Sequence, residues 1–510
     1  MDIQQQEEDS KVPRFETEPS ELTDTVFNCV VPYIHDCRDR SSVSLVCRKW
    51  CELDGATRKH VTVAMCYSTT PSRLRRRFPL LESLTVKGKP RAAMFELIPE
   101  DWGGHVTPWV REIVASLNCL KSIHFRRMIV RDSDIEMLTR ARGPELRVLK
   151  LDLCSGFSTD GLLQIGKLCN NLKTLYLQES LIVEKDGEWL HELALRNTAM
   201  ESLNFYMTDL VKFDYKDLEL IAKNCGGSLV SVKISECDVT DLVDFFRYAV
   251  KLEEFGGAVF CVPLDNYDGL KFPPFLRSMA LNYMSEIELP FVLPFASQIT
   301  KLDLLYALLD TDTHCLLFQK CPNLEVLDAR DVIGDRGLQV LGQYCKKLCR
   351  IKIERGDDEE GFVSQRGLID LAQGCLELEC LHVNLTDVTN EALECVGTHL
   401  KKLYDFRMIL LDKEESITEL PLDNGVRALL SGCRRLERAC GVIKRVSEFA
   451  EAGNERGMAR PFWNMELISS ERHVDVKPQP PSLLAYYSLA GQRTDFPESV
   501  LPLHPPLDLH

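Results

Sequence analysis

His124 and Arg126 stand two residues apart in LKSIHFRRM, with Arg127 beside them. Lys87, Lys89 and Arg91 repeat that spacing in TVKGKPR. Arg350 and Lys352 repeat it in CRIKIER, and Arg407 follows in DFRMIL. Residues two apart share one face of a strand, so each pair would present its cations together. Such a set suits a multivalent anion, because Arg forks match phosphate and carboxylate oxygens. No P-loop, nucleophile elbow or metal-binding helix accompanies them. The chemistry expected is therefore recognition, not catalysis.

A repeat positions these residues. The unit L-x-x-L-x-L, with Ile, Val, Met or Phe allowed, has fourteen starts. They are Leu81, Leu120, Leu146, Leu172, Met200, Leu229, Leu252, Leu276, Ile299, Leu324, Leu348, Leu378, Leu403 and Leu436. Most gaps lie between 23 and 30 residues, close to the period of leucine-rich repeats. The Leu252 and Leu436 units are weak matches. Each unit reads as a strand then a helix. In the Leu146 unit the strand is Leu146 to Leu151. The helix runs from about Asp160 to Leu168, with Leu163 and Ile165 as its apolar residues. Strand alternation buries positions +3 and +5 and exposes +2, +4 and +6.

The cations fall on those exposed positions, joined by Lys301 and Arg330, while middle repeats expose Asn204, Ser235 and Asn282. Scattered charge on a solvated strand face is one explanation. Convergence of like charges from distant repeats favours an anionic ligand that relieves their repulsion. Nucleic acid fits less well, for want of an RNA-binding motif or basic helix.

The chain has 510 residues with 61 basic against 77 acidic side chains, a net charge of −16. That excludes a generally basic nucleic-acid binder or a polybasic membrane anchor. No apolar run reaches the roughly 18 residues of a spanning helix. The polar start MDIQQQEEDSKVPRFETEP does not read as a signal peptide. A reducing context is expected, so the 20 cysteines are not read as disulfides. There is no CxxC or HxxxH pattern, so no metal is expected. Cys169, Cys321, Cys345, Cys375 and Cys433 each precede the next repeat start by three residues, and Cys225 by four. A small thiol suits a tight helix-to-strand junction.

Residues 20–50 break the repeat. Val26, Val30 and Ile34 follow helical spacing. Asp39 or Ser41 would cap a second helix, with Val43, Val46, Cys47 and Trp50 on one face. The segment SVSLVCRKW resembles an F-box, a small helical module that docks a Skp-type adaptor of a cullin–RING ubiquitin ligase. It can also cap the first repeat. The expected fold is an α/β solenoid: a leucine-rich-repeat horseshoe preceded by a small all-α F-box. The expected order is a disordered 1–17, an F-box at 18–60, a solenoid of about 14 repeats at 61–460, and a cap and tail at 461–510.

Further stretches carry a closer resemblance: VKGKPRAAMFELIPEDWGGHVTPWV, IHFRRMIV, CPNLEVLDARDVIGDRGL, SQRGLIDLAQGC, LPLDNGVRALL and LAYYSLAGQRTD. Together they are similar to the coronatine-insensitive F-box proteins of plants, the jasmonate co-receptors. Auxin-receptor F-box proteins resemble the chain more distantly; RAAMF favours the jasmonate branch.

The resemblance implies a non-catalytic substrate receptor of an SCF-type ligase, working in the nucleus. It implies an inositol polyphosphate cofactor, a pentakisphosphate, on Lys87, Lys89, His124, Arg126, Arg127, Tyr306, Arg350 and Arg407. It implies jasmonoyl-isoleucine and a JAZ repressor degron on Arg91, Met94, Phe95, Leu97, Lys352, His382, Asn384, Arg407 and Ile409. Adaptor contacts would come from Val26, Val30, Ile34, Val43, Val46 and Trp50.

This sequence departs from the family in places. Lys352 replaces an expected Arg, and His382 and Asn384 replace a small residue and a Tyr. Val442 stands where a pocket Tyr is expected, and the repeat pattern breaks over 436–460. About three repeats, roughly 75 residues, are expected there and are absent. A truncated paralogue that docks the adaptor without hormone-dependent capture is the alternative reading.

Overall fold

Alternation sets the core. In the strand Ser83–Lys87, Leu84 and Val86 are fully buried while Ser83, Thr85 and Lys87 are half-exposed. The same pattern holds in Ser122–Arg126, where Ile123 and Phe125 face inward. The computed structural model describes residues 29–34, 36–88, 104–260, 270–356, 361–410, 422–436 and 438–442.

The strands are β1 (His60–Val63), β2 (Ser83–Lys87), β3 (Ser122–Arg126), β4 (Val148–Asp152), β5 (Ser155–Ser158) and β6 (Thr174–Tyr176). Next come β7 (Leu181–Val183), β8 (Ser202–Asn204), β9 (Ser231–Asp238), β10 (Glu254–Val259), β11 (Ser278–Asn282) and β12 (Lys301–Asp303). The last are β13 (Val326–Arg330), β14 (Arg350–Glu354), β15 (Cys380–Leu385), β16 (Asp405–Leu410) and β17 (Arg438–Val442). Fifteen of them form one sheet in sequence order, with β5 and β7 paired separately. The fold is an α/β solenoid with a parallel sheet on one wall.

All fourteen repeat starts lead into a strand of that sheet, the weak Leu252 and Leu436 units included. β1 adds one more, pairing His60 with Ser83. Its segment HVTV has no leucine and escapes the repeat pattern.

Helices pack on their sequence neighbours along the other wall. In Thr159–Leu168 it is Leu162 and Ile165 that are buried, with Leu163 only partly so. Ser158 caps this helix and also donates its hydroxyl to Asp132 Oδ2 at 2.7 Å. Gly161 is needed there, since a Cβ would come 2.6 Å from Asp132 Oδ1. Asp335, Ser364 and Gly367 repeat the arrangement.

The junction cysteines are buried at helix ends. Cys345 Sγ donates to Cys321 O at 3.4 Å, one repeat back. Burial pushes the thiols of Cys169, Cys321 and Cys375 up to about 12, which leaves them protonated and inert. None of the described cysteines forms a disulfide. No described helix is long and apolar enough to cross a membrane.

The N-terminal helices differ in detail from the expectation. One helix spans Cys37–Val46 and the next Arg48–Thr57. Asp36, not Asp39 or Ser41, accepts at the first helix's start, from Asp39 N at 2.9 Å. Val43 and Trp50 do not share one helix, because extended Cys47 breaks the run and caps the second. Inside this module Asp54 is fully buried between Arg40, at 2.8 Å, and Arg58, at 2.9 Å. Gly55 permits close packing on the next helix, where a Cβ would meet Arg77 O at 2.6 Å. In the basic segment RLRRRF, residues 73–78, Arg75 and Arg77 bond Glu112 and Ser44, so it is a surface flanking the first repeat.

Candidate functional site

Register turns the repeat positions into rows across the wall. Position +4 aligns His124 with Lys150 and Tyr176. Further on, the same row aligns Asp303, Asp328, Lys352, His382 and Arg407. Position +6 aligns Lys87, Arg126 and Asp152.

The first cluster is built on β2 to β4. Arg126 Nε lies 2.9 Å from Asp152 Oδ2, and His124 Nε2 lies 3.5 Å from the same oxygen. Neither nitrogen makes a well-aligned hydrogen bond. Lys150 Nζ stands 5.3 Å from the Tyr176 ring centroid. Arg127, just after β3, has φ 53, a left-handed conformation uncommon outside glycine. Its N–H donates to Asp152 O at 2.8 Å, which ties the turn to the next repeat. Leu153, Glu179 and Tyr283 share this left-handed turn and the bond to the following repeat.

The second cluster is built on β14 to β16. Lys352 pairs with Glu354. Arg407 Nε lies 3.2 Å from Asp405 Oδ1, and His382 Nε2 lies 3.4 Å from that oxygen. Burial opposes ionisation of Asp405, but His382 and Arg407 outweigh it and hold the carboxyl at about 2. Arg350 is exposed, while Asn384 is half-buried and Ile409 exposed. Tyr306 is half-buried beneath Arg330, whose guanidinium carbon is 5.6 Å from the ring centroid.

These contacts correct the repulsion argument. The wall holds Asp152, Glu254, Asp303, Asp328, Glu354 and Asp405, so its cations already have carboxylate neighbours. Burial pushes the carboxyls of Asp303 and Asp328 up, and the charge of Asp303 adds to the effect on Asp328. The middle repeats are also less open than alternation implies. Asn204, Ser235 and Asn282 are buried. Tyr206 engages two of them: its hydroxyl donates to Asn282 Oδ1 at 3.2 Å and its N–H to Asn204 Oδ1 at 3.0 Å. Ser235 Oγ donates to Phe205 O at 3.0 Å. Tyr206 lies on the segment after β8, which the repeat pattern leaves unassigned.

On the N-terminal module Val30 and Val46 are exposed, and Ile34, Val43 and Trp50 are half-buried. Tyr33 and Leu45 are exposed as well, at 77% and 86%, although periodicity did not single them out. Together they make an apolar surface on a small helical unit. Val26, Lys89, Arg91, Met94, Phe95 and Leu97 lie outside the described residues, as do 1–17 and everything after 442.

Comparison with known proteins decides the lineage. An F-box model matches residues 19–60, and the transport inhibitor response 1 protein domain matches residues 79–125. Coronatine-insensitive protein 1 of Arabidopsis thaliana is 48% identical, with 98% of this chain and 100% of that protein covered. The chain belongs to the coronatine-insensitive family. It is thus an F-box substrate receptor of the jasmonate-receptor type.

Coronatine-insensitive protein homolog 1b of Oryza sativa subsp. japonica is 46% identical, covering 95% of this chain and 96% of that one. GRR1-like protein 1 of Arabidopsis thaliana is more distant within this group, at 32%, covering 81% and 72%. The solved yeast Rad7–Elc1 complex includes a chain 12% identical, with a TM-score of 0.39 over 78% of this chain and 92% of that one. The Arabidopsis alignment runs over 592 positions against 510 residues here. At least the difference, 82 positions, has no residue in this chain.

Proposed function

We propose that this chain is the non-catalytic, nuclear substrate receptor of an SCF-type ubiquitin ligase that recruits JAZ repressors through jasmonoyl-isoleucine. We further infer that its hormone-dependent capture is weaker than in full-length relatives. One observation carries the reading. The cations that the resemblance assigns to the site stand on two separate stretches of one wall, at His124 and Arg126 and at Arg350, Lys352 and Arg407.

Inositol polyphosphate fits this wall at its first cluster. The His124 and Arg126 side chains are part-exposed and share one carboxylate, Asp152, so a phosphate would reach them by competing with it. Lys87, Arg127, Tyr306, Arg350 and Arg407 would complete the set, with Lys89 outside the described residues. When bound, the phosphates would supply the negative charge that organises the cations of both clusters. The chain's own part is to hold those cations at strand ends. Arg407 would serve both that floor and the hormone carboxylate.

The weakening has three supports. The 82 absent positions amount to about three repeats, and the break in the repeat pattern over 436–460 is where this reading puts them. Lys352 keeps a charge but lacks an Arg fork. Asn384 lacks the ring and hydroxyl of the expected Tyr. Exposed Val30, Tyr33, Leu45 and Val46 support retention of the Skp-type adaptor and cullin. Capture of a repressor degron by the adaptor-bound chain, with and without hormone, tests this reading. Capture as tight as that of a full-length relative contradicts the weakening. A complete lack of capture at saturating hormone replaces it with the adaptor-docking paralogue.

A further inference from the structure

Cys380 and His382 occupy alternate positions on β15 and face the same side of the sheet. Asp405 is the register partner of Cys380 on β16. Cys380 Sγ lies 3.3 Å from His382 Nε2, and His382 Nε2 lies 3.4 Å from Asp405 Oδ1. The three ligand atoms all fall within 4.8 Å of one another. Among the described residues this group alone brings three such side chains together. A four-coordinate zinc ion at ordinary bond lengths separates its ligand atoms by about 3.3–3.6 Å. The two separations made by His382 match that requirement, and the third, from Cys380 Sγ to Asp405, is within 4.8 Å.

We propose that Cys380, His382 and Asp405 bind a zinc-like divalent cation, with a fourth position left to water or to a carboxylate ligand. A mixed thiolate, imidazole and carboxylate set suits zinc better than magnesium or calcium. Metal entry replaces the S–H bond of Cys380 with a metal–sulfur bond and releases the proton to solvent. The thiolate and carboxylate together balance the two charges of the ion. Arg407 holds both oxygens of Asp405, Nε 3.2 Å from Oδ1 and Nη2 3.3 Å from Oδ2, so the metal must displace Nε from Oδ1 while Nη2 keeps Oδ2. Such outer partners orient ligating carboxylates. Arg350 is the register partner of Cys380 and Arg407 that of His382, so the flanking charges favour an anion as fourth ligand.

No close pair within one segment marks this group in the sequence. Here the third ligand comes from the neighbouring strand, one repeat later. The site shares His382 and Arg407 with the hormone reading, but its test involves neither hormone nor repressor, so the two fail separately.

The experiment uses the full chain bound to its adaptor, stripped with a chelator and titrated with Co2+. One equivalent is expected to give tetrahedral visible bands and a thiolate-to-cobalt band in the near ultraviolet, both displaced by Zn2+. C380S should abolish the near-ultraviolet band, and H382A should weaken binding about 100-fold or more. Thermal melts check that both variants fold, and Zn2+ should raise the midpoint of the wild type but not of H382A. An octahedral spectrum in the wild type overturns the proposal. So does an unchanged spectrum and affinity in the C380S/H382A double variant.

Discussion

Asp152, on β4, holds Arg126 of β3 at 2.9 Å and lies 3.5 Å from His124. One carboxylate thus faces two of the cations assigned to the phosphate floor. A phosphate must compete with it. Asp152→Asn is expected to tighten inositol polyphosphate binding several-fold, since a unit charge near 4 Å is worth about 1 kcal/mol even in water-like surroundings. Arg126→Ala should weaken it. Calorimetry on the adaptor-bound chain reads both changes.

The acidic middle of the wall makes anion binding pH-dependent. Asp303 and Asp328 carry raised pKa values because they are buried, with Lys233, Lys352, Arg350 and Glu354 as charged neighbours. A raised carboxyl takes its proton earlier as pH falls. The wall then loses negative charge, so affinity for sulfate, which does not titrate in this range, should rise on acidification. In stability terms, a raised folded pKa favours the fold below the unfolded value and loses that contribution as pH rises through the folded one. Asp328→Asn should raise sulfate affinity at neutral pH and flatten the pH profile. An unchanged profile contradicts this.

The Arg40–Asp54–Arg58 group locks the N-terminal module from inside. Breaking a buried pair while leaving one partner charged costs about 3–5 kcal/mol. Asp54→Ala should therefore lower the melting midpoint of the adaptor-free chain and reduce adaptor capture through unfolding. Denaturant titration followed by circular dichroism checks it.

Leu45 and Val46 are exposed, so charging them should leave the fold intact. L45D/V46D is expected to keep the thermal midpoint while losing 2 kcal/mol or more of adaptor binding, about 30-fold. Surface plasmon resonance with a Skp-type adaptor separates this from the Asp54 effect.

The repeat was legible because strand alternation and a fixed period are properties of the local chain. Leu84, Val86, Ile123 and Phe125 are all buried as their positions required. The paired acids were less legible. Asp152, Asp328 and Asp405 occupy the same alternating positions as the cations, and which acid meets which cation depends on cross-strand register. Tyr206 and the β15–β16 metal ligands depend on contacts between repeats, which no single-repeat pattern displays. The break between Val46 and Arg48 depends on one extended residue, Cys47. Helical periodicity ran across it because Val43, Val46 and Trp50 keep helical spacing on either side of it.

Restoring family residues should restore capture. Lys352→Arg regains a bidentate fork, and charged hydrogen bonds contribute about 1.5–3 kcal/mol each. K352R/N384Y is expected to improve hormone-dependent degron binding about ten-fold, or more, without changing adaptor affinity. Fluorescence anisotropy with a labelled degron peptide measures it.

Hormone titration against that labelled degron, on the adaptor-bound chain beside the Arabidopsis relative, bears most directly on function. The expected result is hormone-dependent binding that saturates only at higher hormone concentration than for the relative. Equal affinity would contradict the weakening, and binding without hormone would contradict the hormone-gated mechanism itself.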